Sequence, residues 1–174
     1  MLNNHKVYII GFMGSGKTTA GKKLASLLGW SFIDLDIRIE EYTGLKISEI
    51  FSQQGETFFR NVEAEILRNL DSQTNTVIST GGGTPCHGDN MVYMLETGLT
   101  VYLKLAPGQL KNRLSESTTE RPLIKDLKDE KLLSFIEEKL AYREKWYNLA
   151  KIIVEGFNPD INLLCSIVKA NLNI

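Results

Sequence analysis

One eight-residue stretch limits what this chain can fold into more than any other: Gly11-Phe12-Met13-Gly14-Ser15-Gly16-Lys17-Thr18, which fits G-x-x-x-x-G-K-[ST]. It follows Val7-Tyr8-Ile9-Ile10, an apolar run of strand length. It precedes a helical stripe of Ala20, Leu24, Leu27 and Leu28 that Gly29 can stop. A strand, a glycine-rich loop and a helix in that order make a phosphate cradle: the backbone curls so that successive N–H groups point inward, and the helix adds its positive end. Lys17 would reach the β- and γ-phosphates, and the Thr18 hydroxyl would ligate Mg²⁺. Gly14, Ser15, Gly16, Lys17, Thr18 and Thr19 are therefore the expected contacts to ATP or GTP.

The remainder fits around this loop. Further apolar runs at Trp30 to Ile33, Thr76 to Ser79, Thr100 to Leu105 and Ile152 to Val154 alternate with helical stretches, which predicts a parallel sheet covered on both faces. Phe59, Val62, Ile66 and Leu70 share one helical face. Near the end, Asn158 is expected to cap a helix with Pro159 at its first position and Ile161, Leu164, Cys165 and Val168 on its buried side. With 174 residues and no linker or repeat, one domain spanning 1–174 is expected. Ser115 to Lys128 reads SESTTERPLIKDLK, a polar stretch with Pro122 inside it, and predicts a mobile lid over about 115–128.

Composition removes other classes. Twenty Lys+Arg against 21 Asp+Glu leave a formal charge of −1, which gives no broad basic surface for nucleic acid or anionic membrane. Cys86 and Cys165 have no ligand-like spacing, and the first apolar run is too short for a leader or a span; a cytoplasmic, unprocessed protein is expected. Cys86-His87 lacks further ligands for zinc, His5 reads as exposed, and Trp30 and Trp146 read as packing residues. A switch GTPase would need N-K-x-D and D-x-x-G, and neither occurs. Carboxylates instead appear at Phe32-Ile33-Asp34-Leu35-Asp36, where open α/β sheets place ligands. One can hold the metal and the other an acceptor hydroxyl, or both can be turn and helix-cap residues.

Taken together, GFMGSGKT, F-I-D-L-D-x-x-I-E (Phe32 to Glu40), G-E-x-x-F-R (Gly55 to Arg60), S-T-G-G-G (Ser79 to Gly83), R-P-L (Arg121 to Leu123) and R-x-x-x-Y (Arg143 to Tyr147) closely resemble the shikimate kinase family, in order from about Lys6 to Pro159. The resemblance implies a three-layer P-loop NTPase fold of the α/β class, with five parallel strands in order 2-3-1-4-5. It also implies transfer of the ATP γ-phosphoryl group to the 3-hydroxyl of shikimate, with Mg²⁺ as cofactor, in aromatic amino-acid biosynthesis. By the same resemblance, Asp34 joins Thr18 at the metal, directly or through water, and Asp36 binds the acceptor hydroxyls and is placed as base. Arg60 and Arg143 clamp the substrate carboxylate, Gly82 gives a backbone contact, and Arg121 is the lid arginine near the phosphates, catalytic with Lys17 and Asp36. A monomer is expected. Rival readings are a related small-molecule kinase such as a gluconate kinase, or a noncatalytic nucleotide-binding module.

Spacing leaves alternatives at these positions. Arg60 is turned about 100° from the Phe59 stripe and equally reads as a solvated surface residue. Arg143 continues the series Leu132, Ile136, Leu140, Tyr147 on an apolar helix face, so it needs an internal anion or a ligand. Arg121 also reads as a surface charge, and Gly81 to Gly83 as a flexible turn before Pro85. After the last strand the family carries a V-D-x-x-x-R-x-P loop for adenine. This chain has Val154-Glu155-Gly156-Phe157-Asn158-Pro159 instead, which leaves two readings: Phe157 offers an aromatic face, or base recognition is weaker and less selective.

Overall fold

The computed structural model describes residues 5–70, 75–117, 124, 126–127 and 129–174. Strands β1 (Lys6–Ile10), β2 (Ser31–Asp34), β3 (Thr76–Ser79), β4 (Leu99–Lys104) and β5 (Ile152–Glu155) form one parallel sheet in the order β2-β3-β1-β4-β5. Successive residues of β1 point to opposite faces, and both faces are covered, so the strand is apolar at Val7, Tyr8, Ile9 and Ile10 without alternation. Val7 and Ile9 join Val77, Val101 and Leu103 beneath α1 (Lys17–Leu28) and α8 (Ile161–Leu172). Tyr8, Ile10, Ile78 and Tyr102 face α2 (Leu35–Thr43), α3 (Ile47–Gln53), α4 (Gly55–Asn69), α5 (Asn90–Thr97), α6 (Pro107–Glu116) and α7 (Asp129–Tyr147).

Four local expectations are corrected. Leu27 is exposed and Ala25 is buried instead, because the buried face of α1 centres on Lys17, Ala20, Gly21, Leu24 and Ala25 and Leu27 falls outside its edge. Asp160, not Asn158, caps α8: its carboxylate accepts from the N–H groups of Asn162 and Leu163, while Asn158 lies in a left-handed turn. His5 is only half-exposed, its ring parallel to that of Trp30 with centroids 6.0 Å apart. Ser115 and Glu116 finish α6 rather than opening a loop, and most of the expected lid, Arg121 included, lies outside the described residues.

Register places the site. Asp34 pairs with Ser79 and Ser79 with Ile9, so β2, β3 and β1 end side by side. Thr80 then ties the end of β3 to β1, its N–H and its hydroxyl both donating to the Ile9 carbonyl. The loop after β1 and the glycine run after β3 consequently face one another across the carboxyl edge of the sheet.

Candidate active site

Residues 11–16 form the loop the sequence predicts. Gly14 and Gly16 hold φ of 78° and 91°, left-handed values that a side chain resists, and Gly16 is also the residue before the first turn of α1. Lys17 is buried and folds back so that its Nζ donates to the Phe12 carbonyl. The Ser15 hydroxyl is buried without a hydrogen-bond partner, an acceptor-seeking group inside the curl of the loop. Thr19 points outward and is exposed.

Asp34 performs two tasks at once. Its Oδ1 accepts from the N–H groups of Asp36 and Ile37 and caps α2, while Oδ2 accepts from the Thr18 hydroxyl at 2.8 Å. The helix-cap alternative is therefore correct for Asp34 without excluding a role at a metal, and it fails for Asp36, which stands in the first turn. Ser79 Oγ lies 3.5 Å from the Thr18 hydroxyl, so two hydroxyls and one carboxylate meet where the phosphate loop touches β2 and β3. Among the described residues no cluster of three His, Cys, Asp or Glu side chains could cage an ion. One threonine with one carboxylate suits Mg²⁺, which keeps most of its waters and takes the rest of its oxygens from phosphate.

Asp36 keeps an open edge toward solvent, yet its carboxyl lies low in the cleft. Desolvation, with the like charges of Asp34 and Glu63, pushes it up to about 6 against the opposing pull of Lys17. Such a carboxylate is ionised at neutral pH and still close enough to neutral to take a proton.

The glycine triplet explains how distant residues converge. A Cβ on Gly81 would stand 3.1 Å from Asp36 Oδ1, on Gly82 3.4 Å from Arg143 Nη1, and on Gly83 2.7 Å from Arg60 Nη2. None of the three has positive φ, so the glycines are needed for close approach and the flexible-turn reading is set aside. Asp36 from α2, Arg60 from α4 and Arg143 from α7 thus stand on a floor that has no side chains of its own. Tyr147 secures the floor by donating its hydroxyl to the Gly82 carbonyl.

The two arginines differ. Arg60 is not a solvated surface residue: Nη1 donates to Glu63 at 3.0 Å, and Nε and Nη2 donate to Glu56. Arg143 lies over the Phe12 ring at 5.3 Å, and its Nη1 is buried with no hydrogen bond. Among the described residues it has no ion pair, and Nη1 lies against Gly82 with its donors unpaired.

Some site residues escaped the sequence reading. Glu63 is fully buried, accepts from Arg60 and from the Thr84 hydroxyl, and has its carboxyl pushed up by desolvation against the pull of Arg60. Its i+3 spacing from Arg60 was the available signal. Arg113 of α6 carried none. Its guanidinium stacks over the exposed Phe157 ring at 5.1 Å and lies 3.1 Å from where a Gly16 Cβ would be, which sets a cation between loop 154–159 and the phosphate loop. Cys86 is buried, and desolvation pushes its thiol up to about 11, which makes it inert.

A phosphate loop opening onto a second cleft lined by cations and a carboxylate defines a P-loop kinase acting on a small anionic acceptor. The family model for shikimate kinase matches residues 13–161. The chain belongs to the shikimate kinase family. It is 44% identical over 151 residues to the shikimate kinase of Parabacteroides distasonis, covering 87% of each chain. Among solved structures it is similar to the shikimate kinase of Bacteroides thetaiotaomicron, with TM-score 0.89, 36% identity and 98% and 99% of the two chains covered. It is likewise similar to that of Acinetobacter baumannii in complex with shikimate, with TM-score 0.85, 32% identity and coverage of 99% and 95%. A gluconokinase from Sinorhizobium meliloti shares the fold at TM-score 0.55 and 16% identity over 98% and 92% of the chains. The chain is an ATP-dependent kinase, and the gluconate-kinase alternative is not favoured.

Proposed function

We propose that the cleft performs shikimate 3-phosphorylation with the division of labour that follows. Backbone N–H groups of Gly14 to Thr18 and the Ser15 hydroxyl cradle the phosphates, with Thr19 beside them, and Lys17 leaves the Phe12 carbonyl for the β- and γ-oxygens. Arg60 and Arg143 take the shikimate carboxylate, and Gly82 meets the ring with its backbone. Asp36 accepts the proton of the 3-hydroxyl as that oxygen bonds to the γ-phosphorus and the bridging oxygen leaves with ADP. Thr18 and Asp34 would hold Mg²⁺, which when bound neutralises charge across the β- and γ-phosphates. Arg121 closes over the phosphates in this reading, on the strength of the sequence alone.

The observation that carries the proposal is the glycine floor, which sets a proton acceptor and two guanidinium groups around one space, one of them with a vacant buried donor. No helix among the described residues is long and apolar enough to cross a membrane. The test is ADP release from MgATP with shikimate, gluconate, a nucleoside monophosphate or no acceptor. Turnover dependent on shikimate alone is expected, and turnover on another acceptor in its place overturns the proposal.

A further inference from the structure

Glu56 lies on the first turn of α4, one turn before Arg60, and nothing in the chemistry described so far uses it. Its Oε1 accepts from Arg60 Nε at 3.3 Å and from Nη2 at 3.2 Å, while Glu63 Oε2 takes Nη1 at 3.0 Å. A guanidinium has five N–H donors in a fixed plane. Three are thus engaged, and the two left are one on each Nη, the pair a carboxylate can receive side by side.

The two glutamates hold the group differently. Glu63 is sealed in protein, whereas the Glu56 side chain is 59% exposed against 17% for Arg60. The Glu56 carboxylate is largely in solvent, where screening leaves an i,i+4 pair little to add to stability, so fixing the fold is not what Glu56 accomplishes. With Glu63 alone, the guanidinium could rotate about its contact at Nη1. A second anchor on the Nε edge fixes the plane. His87 Nε2 stands 3.9 Å from the same Glu56 oxygen, and burial together with Arg60 favours the neutral imidazole, so it does not draw Glu56 away.

We infer that Glu56 is a positioning residue for the acceptor: by occupying the Nε edge of Arg60 it turns the two remaining N–H groups toward the substrate carboxylate. This rests on the proposed role of Arg60. It acts on binding of the carboxylate and not on phosphoryl transfer.

The test is steady-state kinetics on the full chain with MgATP and shikimate for Glu56→Ala, Glu56→Gln and Arg60→Ala, with thermal melts alongside. Glu56→Ala is expected to raise KM for shikimate about fivefold, with kcat, KM for ATP and Tm close to the parent. Glu56→Gln keeps an oxygen acceptor and should restore most of the loss. A KM that falls in Glu56→Ala would mean that Glu56 competes with the substrate for Arg60, and an unchanged KM would mean that Glu63 suffices; either result overturns the inference. Equal loss in the alanine and glutamine variants, or a fall in Tm that accounts for the loss, also overturns it. If Arg60→Ala leaves KM for shikimate unchanged, the proposed carboxylate clamp fails first, and with it the premise.

Discussion

The two halves of the cleft are built on opposite plans. The phosphate half is one continuous stretch, residues 11–18, whose recognising groups are largely backbone N–H and whose shape follows from local φ values at Gly14 and Gly16. The half proposed for the acceptor takes Asp36, Arg60, Glu63 and Arg143 from three helices, and its common element is a floor of glycines that supplies space. A backbone cradle suits a ligand group shared by many proteins. A side-chain cage suits one substrate, because every charge is placed separately.

Substitutions should separate the halves. The largest effect is expected at the proposed base of the acceptor half: Asp36→Asn should lower kcat by about 10³-fold, within the span of general acid–base contributions, with ATP affinity retained. Single-turnover kinetics with nucleotide titration checks this, and a normal kcat would remove Asp36 from the proton transfer. Next, Arg143→Ala should raise KM for shikimate about 30-fold, the loss of a charged hydrogen-bonded contact of about 2 kcal/mol, and spare KM for ATP. Equal damage to both would show that the halves are not independent.

Gly83→Ala sharpens the contrast. The new Cβ would lie 2.7 Å from Arg60 Nη2, the far end of a side chain that can move, and Gly83 has an ordinary helical φ of −90°. The fold should persist while Arg60 is displaced, with Tm unchanged and KM for shikimate about tenfold higher. Gly14→Ala instead meets a left-handed φ and Leu114 at 2.8 Å, so it should disturb the loop itself and weaken ATP.

The smallest expected effect is a pH dependence of stability. Asp36 has a folded pKa of about 6 against 3.8 for the free group, so the folded state binds the extra proton between those values. Stability is therefore greatest below about 4 as far as this group is concerned, and it falls as pH rises through 6. Asp36→Asn should be more stable than the parent at pH 7 by about 1 kcal/mol, after discounting for the exposed edge of the residue, and the gain should vanish near pH 4. Chemical denaturation at both pH values measures it. In the parent, kcat/KM for shikimate should fall below about pH 6, as the base is protonated in the free enzyme.

What the residues revealed in advance follows the same division. The strands themselves and the phosphate loop were legible because they rest on local signals, apolar runs bounded by glycine and a contiguous motif, whereas the order of the strands came with the family resemblance. Arg143 was visible as a cation on an apolar helix face. Arg60 looked like surface because its burial depends on Glu56, Glu63 and Gly83, none of them in the stripe that defined the helix. Arg113 was invisible because its meaning depends on contacts with Gly16 and Phe157, far away in the chain. The misassigned cap at Asn158 had a simpler cause: two candidate cap residues stood two apart, and Asp160 supplied the better-placed carboxylate.

Asp34 gives this architecture an internal lever. One oxygen of its carboxylate is joined to α1 through Thr18, and the other to the first turn of α2, which carries Asp36. The carboxylate is planar and stiff, so a rotation that answers a change at Thr18 must also shift the N–H groups of α2. The two halves of the cleft are thereby joined through a single side chain.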